Sequence, residues 1–282
     1  MKRHAFPALL LLATLLVAPP LAAGNGGKPS DPPCDGLTSW LATLPVEPLS
    51  GVEKEGLLFT REEEKLARDV YVAMAATWGH RVFTNIAAAE QRHMDAVLFL
   101  LERYELADPA QSLAPGVFSD ARLQALYAGL VEKGRLSLLD AFAVGATIED
   151  LDIADVEKLL EDADNVDVDT LMQNLAKGSR NHLRSFVALL AAAGEVYEPQ
   201  FLDAASYEEI VSTPHERSVV YDAAGLPVEG FPAGPCDGAG PGKGAGTGPN
   251  GACDGTGPGN GGGNGNNGGN GNGGGNGGGG GN

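Results

Sequence analysis

Residues 84–105 have the sequence TNIAAAEQRHMDAVLFLLERYE, which carries the most informative pattern in the chain. Six residues of this stretch are spaced three or four positions apart, and they are Ile86, Glu90, His93, Val97, Leu101 and Tyr104. This spacing is typical of one face of an α-helix that is turned toward a protein core. A carboxylate and an imidazole on such a face lose their hydration unless a partner or a metal ion replaces it. The stretch therefore predicts a helix that brings polar chemistry into an interior.

The segments on either side of this helix are also helical in pattern. The predicted long helices run from Thr60 to Trp78, Thr84 to Glu105, Ser137 to Asp162 and Thr170 to Ala193. Shorter helices are predicted at 37–44, from Ser119 to Gly134 and at 207–211. Thr60 and Glu63 fit a capping box, which would begin the first long helix. No segment alternates with a period of two over the length of a strand, so the predicted fold class is all-α.

The lengths of the connections predict how the long helices are arranged. Short loops join the first helix to the second and the third to the fourth, so each pair should form an antiparallel hairpin. A much longer crossover, which contains an extra helix, joins the two pairs. Two antiparallel helical hairpins with one long crossover form the ferritin-like variety of four-helix bundle.

The two ends of the chain differ in composition from its middle. Residues 1–23 combine a basic start with an apolar run and small residues, as in a signal peptide. Residues 233–282 hold 26 of the 41 glycines, next to repeated Asn, and are predicted to be a disordered tail. The predicted organisation is a signal peptide at 1–23, a linker and short helix at 24–55, the bundle at 56–212, an irregular extension at 213–232 and the tail at 233–282.

Charge and targeting limit the expected partners. The net charge of −18 disfavours nucleic acid, which needs a basic surface. The signal peptide predicts a secreted or periplasmic protein that is not transmembrane after cleavage, with an uncleaved anchor as the alternative. Export permits disulfides, and a bond between Cys34 and Cys236 would tie the two ends of the domain together. Cys253 would then be either free or intermolecular.

Six polar side chains lie on core-facing stripes of the four long helices, and only a bundle would bring them together. They are Glu64, Glu90, His93, Glu149, Asp152 and His182. Taken one at a time, each has a plain structural explanation, such as a hydrogen-bonded core histidine or a solvated acidic face. Taken together, carboxylates and imidazoles suit two divalent ions of iron or manganese, which accept oxygen and nitrogen ligands. Such ions would also neutralise carboxylates that repel one another in a low-dielectric core.

Several phrases of the sequence resemble a known group of proteins. The segment from Glu64 to Tyr71 is similar to the first-helix pattern of rubrerythrins in the ferritin-like superfamily. The Glu90–His93 pair resembles that group's second-helix Glu-x-x-His, and Glu149–Asp152 resembles its third-helix pair of acids. More closely, residues 56–212 resemble a ferritin-like family of exported microbial proteins known as domain of unknown function 2202. That likeness is carried by EEKLARDVY from Glu63, IEDLDI from Ile148 and GSRNHLR from Gly178.

The resemblance implies a dinuclear iron or manganese centre with oxidase or peroxidase activity on oxygen or peroxide. It implies Tyr71 as a residue that hydrogen-bonds near the reacting centre. One departure is that Ser179 stands where a fourth-helix Glu is expected. The alternatives are therefore a non-catalytic envelope or interaction protein and a metal-storage protein that keep the same fold. A homodimer is an open alternative for the assembly.

Overall fold

A computed structural model describes residues 36–216 and 219–232 of the chain. The helices are α1 (Leu37–Leu41), α2 (Gly51–Trp78), α3 (Arg81–Arg103), α4 (Ala121–Gly134), α5 (Leu138–Asp162), α6 (Val166–Ala192) and α7 (Ala204–Ser212). Two short strands follow, β1 (Val219–Tyr221) and β2 (Pro227–Pro232), and they pair in antiparallel fashion. The predicted all-α class is confirmed, and the strand pair is a small addition to it.

Several predictions about the ends of the chain fall outside the described residues. These are the signal peptide at 1–23, the Cys34–Cys236 disulfide and the tail at 233–282. Within the described part, none of the helices combines the length and the apolar character that crossing a membrane requires.

The first long helix begins nine residues earlier than the sequence predicts, and its predicted capping box is wrong. Helix α2 starts at Gly51, where the Ser50 hydroxyl accepts the Glu53 N–H and the Glu53 carboxylate accepts the Ser50 N–H. The Glu53 carboxylate also accepts the N–H groups of Asp164 and Asn165 from the turn between α5 and α6. The start of α2 is therefore stabilised by a long-range contact that no local pattern contains.

Other helix ends differ less from the prediction. Helix α5 begins after its Ser137 cap and ends at Asp162 as predicted. Helix α6 begins at Val166, four residues before the predicted Thr170. Helix α4 is capped by Asp120, not by Ser119, because the Ser119 hydroxyl donates to Glu62 on α2 instead. The sequence does not predict the two strands, because β1 has only three residues and is too short to show an alternating pattern.

Two apolar clusters fill the interior between the long helices, with a polar layer between them. One cluster contains Leu66 and Val70 of α2 with Phe83 of α3, and the other contains Leu57 of α2 with Val97 of α3. Along α2 and α6 the chain runs from the second cluster to the first, and along α3 and α5 it runs the opposite way. Helices α2 and α3 are thus antiparallel, as are α5 and α6, and each of the four crosses the polar layer near its middle.

The crossover from α3 to α5 is held against α2 by buried ionic contacts. Arg61 donates to both carboxylate oxygens of Asp108 and to the carbonyl of Met94. Lys65 forms a 2.6 Å ion pair with Asp69 and also donates to two crossover carbonyls. These contacts keep the crossover on the outer side of α2, so that the opposite side of the helix remains free to face the polar layer.

We expect the cap of α2 to be a measurable source of stability. Ser50→Ala should lower the free energy of unfolding by about 1 kcal/mol, as for other helix caps. Glu53→Ala should lower it by about 3 kcal/mol, because three backbone N–H groups would lose their acceptor, and that of Asn165 is buried.

Urea unfolding of the full chain measures both changes. The control is Glu55→Ala, which alters an exposed acid in the same helical turn and should shift the free energy by less than about 0.5 kcal/mol. Equal effects of the Glu53 and Glu55 variants would contradict the assignment of the cap.

Candidate metal centre

The polar layer is built from all four long helices. Helix α2 contributes Glu64, α3 contributes the pair Glu90 and His93, α5 contributes Glu149, and α6 contributes His182. Glu90 and Glu149 are fully buried, and the other three side chains are at most 6% exposed. Charged groups at this depth require partners, because the protein interior solvates them poorly. The structure thus brings together five of the six side chains that the sequence predicts as ligands.

Glu90 lies at the centre of this layer, between two imidazoles. One of its carboxylate oxygens is 2.7 Å from Nδ1 of His93, and the other is 2.9 Å from Nδ1 of His182. His93 also lies 3.1 Å from Glu64, and His182 lies 3.4 Å from Glu149. A single carboxylate therefore connects two groups of side chains, one on either side of it.

Each of these groups could hold a metal ion. Glu64, Glu90 and His93 form one triad, and Glu90, Glu149 and His182 form the other. In each triad the ligand atoms lie within 4.8 Å of one another. Two ligand atoms bound at right angles to one ion, with bonds of about 2.1 Å, are roughly 3 Å apart. The N–O separations within the triads, between 2.7 and 3.4 Å, fall around that value.

The contacts of Glu90 are close but are poorly shaped as hydrogen bonds. Both of its oxygens, one oxygen of Glu149 and Nδ1 of His182 lack a hydrogen-bond partner of good geometry within 36–216 and 219–232. Buried polar atoms in native proteins are nearly always satisfied, so a group of unsatisfied ones needs an explanation. Atoms that converge on a common point, rather than on each other, fit a cation at that point.

Tyr71 and two phenylalanine rings close one side of the polar layer. The Tyr71 hydroxyl donates to the Glu149 carboxylate and, over 3.3 Å, to the carbonyl of Gly145. Its ring centroid is 5.5 Å from that of Phe186, which in turn lies 5.8 Å from Phe83. Burial and the facing charge of Glu149 raise the pKa of Tyr71 well above its usual value. Tyr71 is therefore a protonated donor that fixes the orientation of Glu149.

Two glycines make room for the aromatic and imidazole rings. A Cβ atom on Gly145 would lie 2.5 Å from the Phe186 ring, and one on Gly178 would lie 2.5 Å from the His93 imidazole. A larger residue at either position would have to displace the facing ring, which is costly in a close-packed core. Gly178 thus lets α6 approach His93, which belongs to α3.

Two further acids, Asp152 and Glu63, lie beside the triads. Asp152 is 3% exposed and belongs to neither triad, although both of its oxygens lack a hydrogen-bond partner among the described residues. The charged neighbour that acts on it most strongly is Glu63, which is also 3% exposed and faces Asp155. Burial raises the pKa of both Asp152 and Glu63 well above the usual range. Sequence reasoning missed Glu63 because it assigned that side chain to a capping box.

Burial and the imidazoles together set the protonation of the triads. Burial raises the pKa of Glu64 to about 7. It acts in the opposite direction on His93, but Glu64 and Glu90 outweigh it and raise the His93 pKa to about 10. Glu90 and Glu149 likewise raise the pKa of His182 to about 9 against the effect of burial. Burial also disfavours the charge of Glu90, yet the two imidazoles lower its pKa. At neutral pH the metal-free layer therefore holds imidazolium ions around an ionised Glu90.

Ser179 does not act as a ligand in place of the fourth-helix Glu that is expected at its position. Its hydroxyl is buried and donates to the carbonyl of Leu175, one turn earlier on α6. The side chain is thus engaged with its own helix. Helix α6 supplies His182 to the layer without a neighbouring carboxylate, in agreement with the departure noted in the sequence.

The fold and the site place the chain in the class of predominantly helical proteins with a buried cluster of carboxylates and imidazoles. Residues 53–214 match the family described as an uncharacterized protein domain, DUF2202, and the chain belongs to that family. It is 50% identical over 183 residues to uncharacterized protein MJ0754 of Methanocaldococcus jannaschii, a match that covers 65% of this chain and 99% of the relative. The predicted membership of domain family 2202 is confirmed, whereas membership of the ferritin-like superfamily stays a prediction.

A solved structure resembles this one. The crystal structure of hypothetical protein MJ0754 from Methanococcus jannaschii is similar with a TM-score of 0.61 and 52% sequence identity. The match covers 62% of this chain and 99% of that chain.

We expect the metal-free protein to lose stability as the pH rises from 7 to 10. The folded-state pKa values of His93 and His182 are about 10 and about 9, above the ordinary value of 6.5. The folded protein therefore binds more protons than the unfolded chain in this interval, and linkage requires its stability to fall as those protons leave. The stabilisation should be complete below pH 6.5 and should decline by more than about 2 kcal/mol by pH 10.

Urea unfolding of metal-free protein at a series of pH values measures this decline. Glu90→Gln removes the carboxylate that both imidazoles face, so the decline should be shallower in that variant. A wild-type free energy of unfolding that stays level or rises between pH 7 and 10 would show that the imidazoles are not paired with buried carboxylates.

We also expect Gly178→Ala to destabilise the protein by about 1–3 kcal/mol, because the new methyl group would overlap the His93 ring. Gly129→Ala on α4 is the matched control, since a Cβ there would meet nothing within 4 Å. That control should be stabilising by about 0.5–1 kcal/mol, the usual gain on replacing a helical glycine. Chemical unfolding of both variants tests the contact, and equal stabilisation by the two would disprove it.

Proposed function

We propose that this chain is a ferritin-like four-helix bundle whose polar layer binds two divalent ions, iron or manganese, for redox chemistry on oxygen or peroxide. The observation that carries the proposal is the position of Glu90 between the imidazoles of His93 and His182. A carboxylate with one oxygen toward each triad is suited to bridge two ions. Each ion would then have a further carboxylate, Glu64 on one side and Glu149 on the other.

The charges of the layer support two divalent ions. Glu64, Glu90, Glu149 and Asp152 together carry four negative charges when ionised, and two divalent ions carry four positive ones. The raised pKa values of Glu64, Glu149 and Asp152 are caused first by burial, which two such ions would offset by neutralising the carboxylates. Oxygen and imidazole ligands in this ratio suit iron and manganese.

The side chains around the ligands have separable tasks in this proposal. Bound iron or manganese would supply the electron transfer and Lewis acidity that the chain's own side chains lack. Tyr71 holds Glu149 in place by the hydrogen bond that its hydroxyl donates. The aromatic rings of Phe83 and Phe186 keep bulk water away from that side. His93 and His182 must release their protons before they can act as ligands, so ion binding should be tighter at higher pH.

A second candidate is a protein that holds metal ions without turnover. The observation that favours it is Ser179, whose hydroxyl is engaged with Leu175 and leaves α6 with a single ligand. A layer with one carboxylate fewer would bind ions without the full ligand set expected for catalysis. Steady consumption of oxygen or peroxide with ferrous iron would separate the redox protein from the storage protein.

Export to the periplasm or secretion stays part of the proposal, because the sequence of residues 1–23 is the basis for that prediction.

We expect anaerobic titration of the metal-free protein with Mn²⁺ or Fe²⁺ to reach two ions per chain, one for each triad. His182→Gln should leave one ion, because Glu64, Glu90 and His93 would remain intact. Glu90→Ala should weaken both sites, since that carboxylate belongs to both triads. Elemental analysis after gel filtration, together with equilibrium dialysis, measures the stoichiometry.

Glu132→Gln is the control, because it removes an exposed acid of α4 and should leave the stoichiometry at two. Wild-type protein that retains only traces of metal would refute the proposal. Equal loss of ions in the Glu132 and His182 variants would indicate nonspecific binding to an acidic surface.

A further inference from the structure

A groove, called here the α2–α5 groove, lies between α2, α5, the crossover and the start of α4. Its lining includes the carboxylates of Asp155 and Asp162 on α5 and the Arg122 guanidinium on α4. Acidic side chains outnumber basic ones along this lining. A concave surface with one predominant sign of charge concentrates ions of the opposite sign. Cations should therefore accumulate in this groove.

Asp155 connects the groove with the interior. Its side chain is partly exposed in the groove, and its carboxyl lies within hydrogen-bond reach of Glu63, which is 3% exposed. The antiparallel packing of α2 and α5 places these two acids opposite each other, just as it places Gly56 opposite Leu159. Two facing carboxyl groups need a shared proton or a cation between them.

The next acid inward is Asp152. It lies one helical turn from Asp155, a spacing of about 5–6 Å on a helix. Its strongest charged neighbour is Glu63, followed by Glu149 and Glu64 of the two triads. One oxygen of Glu63 and both oxygens of Asp152 have no hydrogen-bond partner in the described part of the chain. These unpartnered, buried oxygens mark a continuous polar path between the groove and the triads.

A structural role explains this path poorly. Burying acids without donors costs free energy, and amide side chains of the same shape would keep a hydrogen bond at a lower cost. In the described structure, neither Lys nor Arg supplies a hydrogen bond or ion pair to Glu63 or Asp152. Carboxylates in single file are instead suited to pass a cation, because each one binds it without enclosing it.

We infer that Asp155, Glu63 and Asp152 form an uptake route by which divalent cations move from the α2–α5 groove to the two triads. This inference rests on the proposed metal-binding function and adds the direction from which the ions arrive. Asp155 captures a hydrated ion at the surface, Glu63 receives it below the surface, and Asp152 passes it to Glu64 and Glu149. Arg122 is paired mainly with Asp120, but its charge also acts on Asp155 and so opposes capture.

The test measures the rate of uptake separately from the amount bound. Metal-free full-length protein is mixed with Co²⁺ under anaerobic conditions, and the visible absorption of bound cobalt is followed by stopped flow. Asp155→Asn should slow uptake about tenfold while the final stoichiometry stays that of the wild type. Arg122→Gln should accelerate uptake about twofold, because it removes an opposing charge from an exposed position.

Asp162→Asn is the matched control, since it removes the same charge from the same groove at an exposed position that does not face Glu63. Its uptake rate should stay within about twofold of the wild-type rate. Circular dichroism of each variant checks that the helices are retained, and Arg122→Gln tests the route even if Asp155→Asn fails to fold.

The outcomes separate the uptake route from the metal site itself. Slow uptake with full stoichiometry in Asp155→Asn, and fast uptake in Arg122→Gln, support the route. Wild-type uptake rates in both variants would overturn the route and leave the metal site standing. Loss of a bound ion in Asp155→Asn at an unchanged rate would also overturn it, because Asp155 would then be a ligand. Failure of the wild-type protein to bind cobalt would overturn both proposals.

Discussion

The contact of one buried carboxylate with two imidazoles is the constraint on which the interior depends. Glu90 can meet His93 within α3, but it can meet His182 only if α6 packs alongside α3 in one register. The apolar clusters on both sides of this layer provide most of the driving force for packing. They do not by themselves choose among registers, whereas a misplaced charge in a core is costly enough to do so.

The same layer is costly in the absence of a cation. Carboxylates of α2 and α5 with raised pKa values lie against one another, and the imidazoles and the Tyr71 hydroxyl offset part of this cost at Glu64 and Glu149. The fold makes space for this arrangement with glycine, since Gly145 accommodates Phe186 and Gly178 accommodates His93. A core selected only for stability would have apolar side chains in place of these buried carboxylates. The cost is understandable if the layer serves to bind ions, as we propose.

Much of the fold could be predicted from local patterns, and the failures have a common cause. The periodicity of α3 and the Ser137 cap of α5 correctly indicated helices. The sequence places the start of α2 wrongly, because Thr60-x-x-Glu63 and Ser50-x-x-Glu53 both fit the capping-box pattern. What distinguishes them is the contact of Glu53 with Asn165, more than a hundred residues away. The mistake also concealed Glu63, whose carboxylate faces the interior instead of its own helix end.

The sequence by itself determined that the chain is helical and which side chains share the inner face of each helix, because helical periodicity is a local property. It also singled out the acids and imidazoles whose burial would need compensation. Only the tertiary structure decided that Glu90 stands between two triads, that Asp152 lies beside them and that Glu63 reaches toward Asp155. These relations depend on the register between packed helices. That register is set by the fit of whole surfaces, a property that no single segment contains.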